Sequence, residues 1–117
     1  LKGSEKQIKW ANDIRENFMV CVNFAKELVD EIGVTEFIQE ELEDSGFNSI
    51  TEAFETIEKQ ESASVIIKNL KGYDFLDFVK KEKAGLEANK RVLTAKAFLN
   101  EKECIVANII MNLGDIK

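Results

Sequence analysis

Carboxylates at helical spacing are the residues of this chain best placed for chemistry. Glu36 and Glu40 stand four apart and Glu40 and Glu43 three apart, so each pair shares a helix face and offers oxygens that can hold magnesium weakly. Pairs of this kind are common on acidic helices and do not by themselves make a catalytic centre. The chain has no histidine, which removes the commonest general base and any Glu-x-x-His pair for a di-iron site. No serine lies in a Gly-x-Ser-x-Gly elbow, and no glycine-rich loop is present to cradle a phosphate. Cys21 and Cys104 belong to no Cys-x-x-Cys pair, so a zinc site has no ligand set. Both cysteines have apolar neighbours at helical spacing. They read as buried, reduced thiols of a cytosolic protein, with a disulfide as the alternative. The expectation is a protein that is not an enzyme and needs no metal or cofactor.

The charges are sorted along the chain. From Asp30 to Glu61 eleven acids face the single base Lys59, and from Lys68 to Lys102 nine bases stand among five acids. The net charge is −6. Free nucleic acid calls for a dominant positive footprint, so this balance suits a protein partner with its own basic groove better. The bland reading is a solvated face that keeps the domain soluble. The acidic candidates for partner contact are Glu36, Glu40, Glu41, Glu43, Asp44, Glu52 and Glu55.

These residues must be held by helices. The 117 residues suit one domain (1–117), and 44% apolar composition supports a modest core. No stretch approaches the about 18 uninterrupted apolar residues of a membrane span. Leu1-Lys2-Gly3-Ser4 leads straight into charged sequence, with no signal peptide visible. There is no proline, and Gly33, Gly46, Gly72 and Gly114 follow helical runs as C-terminal caps would.

Ser4 opens a long first helix that runs to Gly33, with its hydroxyl placed to accept from the amide near Gln7. At about 100° per residue, Gln7, Trp10, Ala11, Ile14, Phe18, Cys21, Val22, Ala25, Leu28, Val29 and Ile32 share one side. Thr35–Ser45 reads as a short acidic helix with Phe37, Ile38 and Leu42 inward. Ser49 and Glu52 read as a capping box, followed by a buried face of Ile50, Ala53, Phe54 and Ile57. Val65-Ile66-Ile67 fits a helix after Ser62 or a short strand, and periodicity leaves both open. Asp74 caps a helix with Phe75, Phe78 and Val79 inward. A run from Leu86 to Leu99 follows, and Asn100 with Glu103 marks a second box-like start. The last helix is apolar nearly all round, as a bundle core or an oligomer contact would be. The sum is an all-α bundle of five to seven helices.

Gly3, Ser4, Lys6, Gln7, Trp10, Ala11, Ile14 and Arg15 spell Gly-Ser-x-Lys-Gln-x-x-Trp-Ala-x-x-Ile-Arg. This block resembles the signature of a family of small proteins of phages, plasmids and other mobile elements. The family's second block, a small residue before an aromatic-rich helix start, has its counterpart at Ser62–Asn69, where the aromatics are missing. The resemblance implies a genomic habitat and no particular activity. Each motif residue also has a packing role: Trp10 as a buried anchor, Gln7 satisfying a nearby loop or helix end, Lys6 pairing with another helix, Arg15 bridging to the acidic segment.

Three functions follow as expectations. The first is a non-catalytic, cytoplasmic interaction protein of a mobile element, comparable with anti-CRISPR proteins, whose acidic surface occupies a phosphate-binding channel of a host nucleic-acid-handling protein. The second is a nucleic-acid-associated module using Lys80, Lys81, Lys83, Lys90 and Arg91 with Lys6, Lys9 and Arg15. The third is a self-assembling domain, such as a homodimer, that pairs its first or last helix.

Overall fold

Local signals set the helix starts. In the computed structural model, which describes residues 1–117, six helices follow one another: α1 (Glu5–Ile32), α2 (Glu36–Asp44), α3 (Ile50–Lys59), α4 (Ala63–Leu70), α5 (Phe75–Asn89) and α6 (Ala95–Asp115). A hydroxyl or carboxylate caps each of them: Ser4, Thr35, Ser49, Ser62, Asp74 and Thr94 each accept from an otherwise unpaired first-turn amide. Gly33, Gly46 and Gly72 take positive φ at the turns after α1, α2 and α4, where a side chain would be strained.

There are no strands. The Val65–Ile67 segment is helical, and Ile66 and Ile67 are buried. The nearest approach to a sheet is one parallel bridge between Lys2 and Ser62. Lys2 N–H donates to the Glu61 carbonyl at 2.6 Å, and Ala63 N–H donates to the Lys2 carbonyl at 3.0 Å. This clasp ties the chain's start to the α3–α4 turn.

α6 lies at the centre and touches all five other helices, so its apolar circumference serves the core. Val106 and Ile110 are fully buried on it, as are Leu113 and Ile116 beyond them, facing Phe18, Val22, Ile38, Leu42, Ile57 and Ile66 from the surrounding helices. The protein is elongated, 50 × 29 × 18 Å, and α1 is its longest helix at 28 residues.

The expectation for Trp10 is corrected: it is 49% exposed. Trp10 points in the same direction as buried Leu28, five full turns on. It precedes Phe18, however, where the first residue of α5 lands: Phe75 packs edge-on against Phe18 at 4.8 Å. The Trp10 side of the stripe therefore runs on past the start of α5, while Ala11 beside it is fully buried.

Other expectations shift for similar reasons. Asn100 and Glu103 lie inside α6. The break falls earlier, between Asn89 and Thr94, so Leu86–Leu99 is not one run. Gly114 is within α6 and caps nothing; a Cβ there would sit 3.1 Å from Ser45 Cβ, so its role is close packing. Phe37 faces outward at 42% exposure. The cysteines are both free thiols, with Cys21 buried and Cys104 exposed.

Candidate functional site

α2 is nine residues long and carries five carboxylates. Ile38 and Leu42 are fully buried. The Thr35 hydroxyl, which accepts from Ile38 N–H at 3.4 Å, also donates to Glu103 of α6 and pins the start of the helix to the core. With that face fixed inward, Glu36, Glu40, Glu43 and Asp44 fall within about 100° of arc on the opposite face, and all four are exposed. None of them joins an ion pair within the chain. Gln39 donates to Glu43 at 3.3 Å, a neutral contact that leaves the charge in place.

Glu41 stands apart from this face. It is half-buried, and burial first, then the neighbouring Asp44 charge, raise its carboxyl pKa, against a hydrogen bond from Ser45 Oγ at 3.4 Å that lowers it.

The two candidates on α3 are occupied at home. Glu55 pairs with Lys59 at 2.8 Å; that hydrogen bond and charge, with a smaller contribution from Lys26, hold the Glu55 carboxyl below its usual range and raise Lys59. Glu52 accepts from Asn48 N–H at 2.8 Å and lies 3.8 Å from the Lys117 ammonium. Its carboxylate therefore satisfies the residue before the cap, while Ser49 accepts from Glu52 N–H at 3.1 Å; the expected reciprocal box is displaced by one residue. Lys117 also donates to the Gly46 carbonyl and lies over the Phe47 ring at 5.0 Å. The acidic segment thus divides into α2, whose acids have no ionic partner, and α3, where Glu52 and Glu55 each have one.

The basic residues are divided between paired and free. Lys81 pairs with Asp77 at 2.9 Å, and that bond raises its pKa. Lys90 pairs with Glu87 at 2.9 Å. Lys83 lies 3.9 Å from Glu27 and over Phe24 at 5.4 Å. Lys102 is buried, bonded to Glu31 and placed over Phe98 at 4.2 Å. Lys68, Lys71, Lys80, Arg91 and Lys96 join no ion pair.

The motif residues at the start of α1 build a structural joint. Ser4 and Gln7 form a full capping box: Ser4 Oγ accepts from Gln7 N–H at 3.2 Å, and Gln7 Oε1 accepts from Ser4 N–H at 3.0 Å. Gly3 takes φ +150°, and a Cβ on it would meet Gln7 Oε1 at 3.0 Å and Ala63 Cβ at 3.1 Å. Lys6 is exposed and unpaired, against the expectation of an interhelical pair. Arg15 does not bridge to the acidic segment; it is half-buried and its Nε is sealed without a hydrogen-bond partner.

No group of three or more cysteine, aspartate or glutamate side chains is arranged to hold a metal ion. No helix is long and apolar enough to cross a membrane. No protein-family model, curated protein or solved structure matches the chain.

Proposed function

We propose that this chain is a non-catalytic binding protein whose α2 face occupies a lysine- and arginine-lined, phosphate-binding channel of a nucleic-acid-handling protein in the cytoplasm. The single observation that carries this reading is the α2 face itself: four exposed acids lie within one arc, and none of them has an ionic partner within the chain. Unpaired like charges one turn apart cost a helix about 0.2–0.5 kcal/mol per pair. A basic partner removes that cost.

The charge density suits the role. The four exposed carboxylates of this nine-residue helix span about 13.5 Å at 1.5 Å per residue, or one charge per roughly 3.4 Å. A single nucleic-acid strand carries about one per 3.4 Å of axis. Phe37 flanks the acidic arc and supplies an apolar anchor of the kind that concentrates binding energy. The opening motif's resemblance to mobile-element proteins extends the proposal to a biological setting. There the chain acts as a phage- or plasmid-borne inhibitor of a host defence nuclease, comparable in role to an anti-CRISPR protein.

Capture experiments with the tagged chain against purified host nucleases test this. The intact chain should retain a nuclease in a salt-sensitive manner, and the Glu40→Lys/Glu43→Lys/Asp44→Lys variant should lose it. A Lys80→Glu/Arg91→Glu variant should still bind. Binding that survives the acidic reversal and disappears with the basic one overturns the proposal in favour of direct contact with nucleic acid.

A further inference from the structure

A second feature lies away from α2. A cleft of about 390 Å³ opens between the start of α5 and the last turns of α6, with Cys21 of α1 in its lining. Its size is within the range of small-ligand sites. Much of the wall is apolar: Phe75, Phe78, Ile109 and Met111, with Tyr73 stacked on Phe75 at 5.7 Å. The Cys21 thiol adds to that character. It donates to the Phe75 carbonyl at 3.8 Å, and burial pushes its pKa up to about 12, so it stays neutral.

The polar groups of the wall point to the sign of the occupant. Asp74 and Asp115 are its only charged residues, and it contains no lysine or arginine. One Asp74 oxygen caps α5 by accepting from Asp77 N–H at 3.0 Å, which leaves the other free. Asp115 joins no ion pair. Asn108 and Asn112 also line the wall as neutral amides, and one N–H of Asn112 donates to the Asn108 backbone carbonyl at 3.2 Å. Aromatic faces also favour a cation.

We propose that this cleft is a binding site for a small amphiphilic organic cation. The apolar body lies against Phe78, Ile109 and Met111, and the ammonium group is held by Asp74, Asp115 and the aromatic face of Tyr73. The inference is independent of the α2 surface.

Amide NMR of the full chain with phenethylammonium and 3-phenylpropionate tests it, since the two probes share a ring and differ in the sign of the charge. Phenethylammonium should give saturable shifts at residues 73–78 and 108–115, with 3-phenylpropionate at least about tenfold weaker. Asp74→Asn/Asp115→Asn should abolish that preference; asparagine caps a helix as well as aspartate, so α5 keeps its start. Equal affinity for the two probes, shifts confined to α2, no saturation at millimolar ligand, or a preference that survives in the double variant would each overturn the inference. The wild-type comparison of the two probes stands even if the variant fails to fold.

Discussion

Glu40 has like-charged neighbours on both sides along α2: Glu36 one turn before it, Glu43 and Asp44 one turn after. Glu40→Lys converts three repulsive pairs into three attractive ones. Each pair is worth about 0.2–0.5 kcal/mol in either sense. Solvent screening and non-additivity reduce the total to about 1 kcal/mol of added stability. Glutamate and lysine have similar helix propensities, so the backbone contributes little to the change. For a chain of 117 residues, an unfolding entropy of about 2.1 cal/mol/K per residue converts this into a Tm rise of roughly 4 °C. Thermal unfolding followed by circular dichroism at low ionic strength measures it. Repeating the scan near 1 M salt, where the Debye length is about 3 Å, should remove most of the gain. A Tm that stays level or falls at low salt would refute the reasoning, because the acids of α2 would then be compensated. A gain that persists at high salt would refute it too, by showing a source other than charge.

Three further outcomes test the fold. Phe18→Ala removes a fully buried ring that meets Phe75 edge-on; urea unfolding should show a loss of about 3–5 kcal/mol. Gly3→Ala forces a side chain into positive φ against Ala63; a loss of about 1–2 kcal/mol is expected by the same measurement, and no loss would dismiss the clasp at the start of α1. Cys21 is raised from 9.0 to about 12 by burial. Its neutral form is favoured in the folded state, so its contribution is complete below the unfolded thiol's pKa and is lost as pH climbs from about 9 through about 12. Stability profiles of the wild type and Cys21→Ala should therefore converge over that window, and in the folded protein at pH 8 a thiol reagent should label exposed Cys104 and spare Cys21.

Signals carried within one turn were legible in the sequence. Ser4, Ser62, Asp74 and Gly33 sit at helix ends because a hydroxyl, a carboxylate or a glycine satisfies the backbone there without help from elsewhere. Signals that depend on what packs opposite were not. Trp10 occupies the core direction of α1, but its burial depends on where α5 begins, which is far away in sequence. Asn100 and Glu103 carry the residue types of a helix start, yet Thr94 caps first and the chain continues through them as α6. Gly114 has the look of a stop signal and is instead a place where Ser45 comes close. The β-branched Val65-Ile66-Ile67 trio fits a strand or a helix in isolation; packing against α1 and α6 decides for the helix. For the acidic surface, the grouping of acids is visible in the residue order. Which of them remain free is not, because Lys117 reaches Glu52 from the far end of the chain.

The most direct measurement is a competition for the captured nuclease, with a labelled oligonucleotide held in its channel and the chain added at increasing concentration. The oligonucleotide should be released as α2 takes its place, with the Glu40→Lys/Glu43→Lys/Asp44→Lys variant unable to release it. Simultaneous binding of both, or equal release by the variant, would show that the carboxylates of α2 do not stand where phosphates bind.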